Sequence, residues 1–153
     1  MRARVESVMR SLSYPATLRV DREAGGFAVT FPDLPEAVTQ GEDRLDALEQ
    51  AADCLEEAMA GRIRRGDEIP LPSKARANQA MVPVPPLMAA KAALFLAMRE
   101  AKISNVKLAM QLGCDEKDVR RMLDPRHGSR INALQAALTA LGKRIVMSVE
   151  NAA

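Results

Sequence analysis

Residues 103–124 constrain the fold more than any other stretch, because two short amphipathic segments flank a single glycine there. The first segment places Leu108, Ala109 and Leu112 on one apolar face. Gly113 follows where that helix must end and the chain must turn sharply, a conformation with positive φ. Asp115 is positioned to cap the N-terminus of the second segment. This pattern predicts two helices joined by a tight turn.

The second predicted helix divides into an apolar side and a charged side. The apolar contacts come from Cys114, Val119, Met122 and Leu123. The charged side carries Glu116, Lys117, Arg120 and Arg121. Such a pair of helices is typical of a helix-turn-helix, whose second helix lies in the major groove of DNA. The alternative is an ordinary helical hairpin whose arginines are merely solvated.

The basic side chains suggest different roles in DNA binding. Arg120 and Arg121 can each donate two hydrogen bonds to guanine O6 and N7, and Lys117 lies on the same surface. Glu116 can accept from cytosine N4 or simply favour the helix N-terminus. The predicted phosphate contacts, which orient the protein without reading sequence, are Lys107, Arg126 and Arg130.

Charge is distributed unevenly along the 153 residues. Residues 14–57 contain three arginines against eleven acids, whereas residues 81–153 contain eleven basic residues against six acids. An acidic front half and a basic back half indicate different binding partners. Residues 1–12 are too polar for a signal peptide, and no apolar run approaches membrane-spanning length, so we expect a cytoplasmic protein without a membrane partner. Cys54 and Cys114 have no metal-type spacing and are expected to be buried thiols.

The front half reads as a small sheet covered by one helix. Residues 1–13 form an N-terminal extension, and residues 14–69 form the first predicted domain. Alternating apolar residues predict strands at 14–20, 27–31 and 37–40. A helix is predicted from about residue 43 to 65, with its apolar stripe against the sheet. That stripe consists of Leu45, Leu48, Ala52, Leu55, Met59 and Ile63.

The back half is predicted to be mostly helical. Residues 70–86 form a proline-rich, semi-rigid connector with an edge strand at 81–84. Residues 87–153 form the second domain, with further helices at 87–101 and 132–141. The inward residues of the later helix are predicted to be Ile131, Leu134, Leu138 and Leu141. Residues 143–150 alternate as a strand would, and an exposed strand suggests pairing across a dimer.

Two sets of residues resemble the HicB-type antitoxins of bacterial toxin–antitoxin pairs. The first is GFAVTFPDLPEAVTQGEDRLDALEQAADCLEEAM, with Gly26-Phe27, Phe31-Pro32-Asp33-Leu34-Pro35 and Thr39-Gln40-Gly41 as its signature pieces. The second is LAMQLGCDEKDVRRMLDPRHGSRINALQAALTALGKRI, which resembles the helix-turn-helix of one branch of the family. Glu36-Ala37 stands where a Gly and a Cys are expected. The resemblance implies a partial ribonuclease H-like sheet plus helix, followed by an all-α helix-turn-helix domain. The predicted fold class is therefore α+β, and the alternation at 143–150 adds the option of a C-terminal strand.

The resemblance also implies two binding partners and no cofactor. One partner is a HicA-type toxin, a small basic ribonuclease that the antitoxin masks. The other is the operator DNA of its own operon, which the antitoxin represses as a homodimer or tetramer. Because an RNA-binding toxin must present a basic surface, acidic residues are its expected contacts. The candidates are Asp33, Glu36, Asp43, Asp46 and Glu49. For any one of them, the alternative is an ordinary solvated carboxylate.

Catalysis by this chain is not expected. His127 is the only histidine and has no evident Cys or Ser partner. No metal spacing, phosphate-binding glycine loop or nucleophile motif is present. Two rival functions stay open: a stand-alone repressor whose front domain senses a small ligand, and a residual nuclease. Asp21 and Asp33 are the acids near strand ends that a metal-dependent nuclease would use.

Overall fold

The computed structural model describes residues 11–152. The chain is a mixed α+β protein, as predicted. Its elements are β1 (Ser13–Val20), β2 (Phe27–Thr30), β3 (Val38–Gly41), α1 (Arg44–Arg65), β4 (Gln79–Pro83), α2 (Pro86–Ala101), α3 (Asn105–Leu112), α4 (Glu116–Leu123) and α5 (Ile131–Ala140). They form two compact units, the first ending at Ala89 and the second beginning at Ala90. Most of the predicted 1–13 extension lies outside the described residues, but Leu12 is buried and Ser13 begins β1.

The first unit is built on an antiparallel sheet with the strand order β3-β2-β1-β4. Gly25 and Gly26 form the turn between β1 and β2 with φ of 79° and 76°, values that glycine adopts without strain. The register pairs Leu18 with Val29, and Tyr14 with Val82 of β4. The three strands predicted for this region are therefore confirmed, with ends that differ by at most one residue.

Helix α1 lies closer to the sheet than its leucines suggested. Leu45 was predicted to point inward but is 57% exposed, whereas Ala47 and Ala51 are fully buried. A Cβ on Gly41 would lie 2.4 Å from the Ala47 Cα, so only small residues fit where the helix begins. Farther along the helix the larger predicted core residues are buried, namely Leu55, Met59 and Ile63. Leu48 and Ala52 are half-buried.

The proline-rich residues 70–86 are fastened to the first unit. The hydroxyl of the buried Tyr14 donates to the Pro70 carbonyl at 2.7 Å. Asp33 Oδ2 accepts from the backbone N–H and the hydroxyl of Ser73, at 2.9 and 3.1 Å. An edge strand was predicted at 81–84, and the structure has one at Gln79–Pro83, β4, which pairs with β1. This segment therefore supplies a strand of the sheet, in addition to connecting α1 to α2.

In the second unit, α3 packs against α4 and α5. The buried residues at this junction are Leu108, Ala109, Val119, Leu134, Ala137 and Leu138. The predicted turn between α3 and α4 is present, with Gly113 at φ 66°. Ile131 was predicted to point inward, but it is 38% exposed because it occupies the first position of α5.

The predicted closing strand at 143–150 does not form within the chain. Residues 143–152 belong to neither a helix nor a strand. A strand requires a neighbouring strand for its backbone groups, and here the Ile145 N–H instead donates to the Gln135 side-chain oxygen at 2.8 Å. Between residues 11 and 152, no helix combines the length and apolar character needed to cross a membrane.

Candidate functional site

Three local features determine which surface of α4 is exposed: the caps of α3, the cap at the start of α4, and one buried residue of α4. The hydroxyl of Ser104 caps α3 by accepting from the Lys107 N–H at 3.2 Å, and Gly113 ends that helix. Asp115 and Asp118 then form a capping box at the start of α4. Val119 is fully buried and fixes which side of α4 faces the core. The rest of the helix surface is consequently turned towards solvent.

The predicted base-reading residues all lie on this solvent-facing surface. Arg120 Nη2 lies 2.8 Å from Glu116 Oε2, and Arg121 Nη1 lies 3.8 Å from Asp118 Oδ1. The side chains of Arg120 and Arg121 are 65% and 49% exposed, and Lys117 is also exposed. Exposed pairs of this kind contribute only about 0.3–0.5 kcal/mol. Both arginines can therefore exchange their carboxylate partners for a stronger anionic ligand.

The predicted phosphate contacts are exposed in the same unit. Lys107 lies on α3, while Arg126 and Arg130 lie in the segment between α4 and α5. The Arg126 N–H donates to Asp124 Oδ1 at 2.9 Å, which orders the start of that segment. The structure thus brings all seven predicted DNA-binding residues into one compact unit with their charged groups accessible or partly accessible.

Lys91 of α2 is a residue that the sequence reasoning missed. It is the one fully buried charged side chain between residues 11 and 152. Its ammonium group donates to Ser129 Oγ at 2.8 Å, to the Met122 carbonyl at 3.0 Å and to the Arg121 carbonyl at 3.2 Å. Burial lowers the pKa of Lys91 below its ordinary value. The sequence feature that could have revealed this buried lysine is its isolation within the otherwise apolar run MAAKAALFLAM.

The two predicted toxin contacts in the loop already have partners within the first unit. Asp33 holds Ser73, as described above. Glu36 forms two hydrogen bonds with the Arg62 guanidinium, at 2.5 and 3.1 Å. The bonds from Arg62 lower the pKa of the Glu36 carboxyl. Arg62 also donates to the Glu68 carbonyl. Asp33 therefore holds the chain after α1 directly, through Ser73, and Glu36 holds it indirectly, through Arg62.

Two of the three predicted contacts on the helix serve its N-terminus. Asp43 caps α1 by accepting from the Asp46 N–H at 2.9 Å. Asp46 in turn accepts from the Glu42 N–H at 2.8 Å. The first bond satisfies a donor that the first turn of a helix leaves unpaired, and the second holds the residue that precedes the N-cap. Glu49, the third predicted residue, is exposed.

Glu49 belongs to an acidic stripe that the sequence reasoning only partly selected. We define the acidic stripe as Glu49, Asp53 and Glu57, which recur every four residues and therefore lie along one face of α1. All three are exposed, and within residues 11–152 none forms a hydrogen bond or ion pair through its carboxylate. Like charges at this spacing destabilise a helix by about 0.2–0.5 kcal/mol per pair. Leu45, exposed one turn earlier, continues the same line.

The residues considered for catalysis have local structural roles. Asp21 Oδ1 accepts from the N–H groups of Glu23 and Ala24, both at 3.0 Å, and so closes the turn between β1 and β2. His127 Nδ1 lies 3.1 Å from Ser129 Oγ in an exposed segment. No group of three or more His, Cys, Asp or Glu side chains suited to a metal ion occurs in the part of the chain that the structure describes.

These observations define a protein with a mixed α+β unit, whose helix presents an acidic face, and a helical unit with a basic face. Comparison with known proteins identifies the family. A family model described as "HicB_like antitoxin of bacterial toxin-antitoxin system" matches residues 13–93. The chain therefore belongs to the HicB-like antitoxin family, as the sequence resemblance predicted.

Similarity to individual antitoxins extends beyond the residues matched by the family model. Antitoxin HicB 1 of Photorhabdus laumondii subsp. laumondii is 35% identical over 143 residues, which cover 94% of this chain and 90% of that protein. Antitoxin HicB of Escherichia coli K12 is 36% identical over 134 residues, covering 88% and 96%. Antitoxin HicB of Pseudomonas fluorescens is 32% identical over 143 residues, covering 93% and 98%. Membership in the family implies a toxin as a partner.

Proposed function

We propose that this chain neutralises a HicA-type ribonuclease toxin with its first unit and represses its own operon with its second. The observation that carries the proposal is the opposite charge of two exposed surfaces. The acidic stripe on α1 has no internal cationic partner among the described residues, and the arginines of α4 have only weak ones. One surface suits a basic protein, and the other suits DNA.

The acidic stripe fits a small basic toxin better than the other predicted contacts do. A ribonuclease that approaches RNA phosphates presents cationic side chains, which a row of unpaired carboxylates attracts over several ångströms. Asp33, Glu36, Asp43 and Asp46 already hold groups of their own unit. Within residues 11–152, Glu49, Asp53 and Glu57 have no such bonds to break. We therefore assign the stripe as the principal toxin contact and the other four as its support.

Binding of the co-expressed toxin tests this assignment. The double variant Glu49→Gln/Asp53→Asn removes two charges from the stripe, and Glu23→Gln/Glu68→Gln removes two exposed charges elsewhere in the unit. We expect the first to weaken toxin binding about tenfold at moderate salt and to flatten its salt dependence. The control should bind within about twofold of wild type. Equal binding by both variants would reject the stripe as the contact.

The second unit is proposed to bind operator DNA as a helix-turn-helix. In this arrangement α4 enters the major groove, where Arg120 and Arg121 donate to guanine O6 and N7. Lys107, Arg126 and Arg130 contact phosphates and fix the register. Glu116 either accepts from cytosine N4 or restrains Arg120, with which it is paired. A homodimer or tetramer would present two such helices to two half-sites.

Mobility-shift titration of a duplex from the chain's own promoter region tests this second half. Arg120→Ala or Arg121→Ala should abolish the specific shift while leaving toxin neutralisation nearly intact, because each removes a base contact worth about 1–3 kcal/mol of discrimination. Arg64→Ala, an exposed arginine of α1, serves as the control. Unchanged promoter affinity in both α4 variants would reject the assignment.

Two rival functions give different results in simple experiments. A stand-alone repressor with a ligand-sensing first unit would purify without a small basic protein and would release its promoter when a small molecule is added. A residual nuclease would cleave RNA in a magnesium-dependent reaction that Asp21→Asn abolishes. The engagement of Asp21 by its own turn favours a non-catalytic chain. Co-purification with a small basic ribonuclease would support the antitoxin proposal against both.

A further inference from the structure

Lys91 occupies an unusual position for a lysine. Lysine is rarely buried completely, because removing its ammonium group from water is unfavourable unless every N–H finds an acceptor. Here the side chain is fully buried, and three oxygen atoms lie within hydrogen-bonding distance of Nζ. An ordinary apolar residue would fill the same place in α2 without that requirement. The position therefore calls for an explanation beyond core packing.

The acceptors of Lys91 lie at one end of α4. The Arg121 and Met122 carbonyls belong to the last turn of that helix, where backbone donors for carbonyl groups run out. The Arg121 carbonyl keeps one backbone partner, the Asp124 N–H at 3.2 Å, so Lys91 supplies it with a further donor. The C-terminal end of a helix also carries a partial negative charge, which a cation complements. Lys91 thus acts as a C-terminal cap supplied by a different helix. It fixes the end of α4 with respect to the part of α2 that lies in the same unit.

Ser129 extends this cap to the segment that follows α4. Its hydroxyl accepts from Lys91 at 2.8 Å and lies 3.2 Å from the Arg121 carbonyl, to which it can donate. Ser129 is flanked in sequence by the basic residues of this segment, since Arg126 precedes it and Arg130 follows it directly. A single buried ammonium group consequently links the helix that carries Arg120 and Arg121 to the segment that carries Arg126 and Arg130.

We infer that Lys91, acting through Ser129 and the last carbonyls of α4, is a positioning residue for sequence-specific DNA binding. This inference rests on the proposed operator binding. Lys91 is buried and so does not touch DNA. Its role is to hold the base-reading arginines and the phosphate-binding arginines in one fixed arrangement, so that both sets reach their targets together. Removing it should reduce discrimination between DNA sequences more than it reduces binding to DNA in general.

The distinction follows from the two components of DNA affinity. Non-specific binding depends on the number of exposed cations near the phosphates, and replacing a buried lysine leaves those cations in place. Specific binding requires the arginines to meet particular base edges with correct geometry. Partial unfolding would weaken both components together. A loss confined to the specific component is therefore the mark of a positioning role.

The experiment titrates the full chain against two labelled duplexes of equal length, one from its own promoter region and one with that sequence scrambled. The variants are Lys91→Met, which keeps the length of the side chain without its charge, and Ser129→Ala, with Ser129→Thr as the variant that retains the hydroxyl. We expect Lys91→Met to lower promoter affinity at least tenfold and scrambled-duplex affinity less than threefold. Ser129→Ala should lower promoter affinity about threefold to tenfold, and Ser129→Thr should restore most of it.

Thermal unfolding followed by circular dichroism on the same samples establishes whether each variant is folded, and toxin binding checks that the first unit is unaffected. If Lys91→Met does not fold, the comparison of Ser129→Ala with Ser129→Thr decides the question. Equal loss of affinity for both duplexes, or no loss for either in the folded variants, would overturn the inference. Absence of any promoter preference in the wild-type chain would instead overturn the proposed operator binding.

Discussion

The backbone of Ala47 lies so close to Gly41 that a Cβ added at residue 41 would fall 2.3 Å from the Ala47 nitrogen. We predict that Gly41→Ala destabilises the first unit by several kcal/mol, because backbone on both sides must move apart and separate α1 from the sheet. Chemical denaturation of the full chain measures this loss. Gly61→Ala is the control, since a Cβ there meets only the end of the flexible Arg65 side chain at 3.0 Å. It should be neutral or slightly stabilising, as alanine favours a helix interior. Equal destabilisation by the two changes would contradict the close approach at Gly41.

Asp33 is predicted to act mainly as a structural residue. Because its carboxylate accepts two hydrogen bonds from Ser73, Asp33→Ala should cost about 1.5–3 kcal/mol and expose the proline-rich segment to limited proteolysis. Ser73→Ala removes only the hydroxyl and should cost less, with cleavage at the same place. If Asp33→Ala abolished toxin binding while leaving stability and proteolysis unchanged, Asp33 would be a direct toxin contact and the structural role would be rejected.

The ion pair between Glu36 and Arg62 should make stability depend on pH. Because Arg62 lowers the pKa of Glu36 in the folded chain, its contribution is present above the ordinary value of 4.5 and is lost as the pH falls through the lower folded value. We expect Glu36→Gln to cost about 0.5–1 kcal/mol at pH 7, a modest amount because the pair is partly exposed. The difference from wild type should disappear in acid. Urea denaturation at pH 7 and pH 3 measures it, and a difference that grew in acid would contradict the assignment.

Glu116 can restrain Arg120 or read a base, and one substitution separates these roles. If its pairing with Arg120 only restrains the arginine, Glu116→Gln should raise affinity for promoter and scrambled duplexes alike, by about twofold to threefold. If Glu116 accepts from a cytosine, promoter affinity should fall and discrimination at one base pair should be lost. Titration of duplexes with single substitutions distinguishes the outcomes. We predict the first, since the pair is already formed at 2.8 Å.

Local sequence patterns predicted the elements of this fold well, because strand alternation, glycine turns and helix caps act over a few residues. They were less successful where packing distance decides which side chain is buried. Leu45 is the more hydrophobic residue, yet it lies about 200° around the helix from Ala47 and is exposed. Ala47 lies on the buried face, where the close approach to Gly41 leaves room only for a small side chain. The strand predicted at 143–150 does not form within the chain, and its pairing across a dimer stays a prediction.

Side-chain partners distant in sequence were the main limit on predicting the sites. Nothing near Asp33 in the sequence indicates Ser73, which lies 40 residues away, and the acceptors of Lys91 lie 30 to 38 residues away. The sequence therefore identified the acidic and basic regions without showing which charges were already engaged. The family assignment, by contrast, followed from motifs that are contiguous in the chain, and it is confirmed.

Two separate surfaces of this chain are proposed to bind two partners of opposite charge. The most direct measurement is a paired titration, in which Glu49→Gln/Asp53→Asn and Arg120→Ala/Arg121→Ala are each tested against the toxin and against the promoter duplex. The first variant should lose about tenfold in toxin affinity and keep its promoter affinity. The second should lose its specific promoter binding and keep its toxin affinity. Loss of both activities in either folded variant, or retention of both, would contradict the claim.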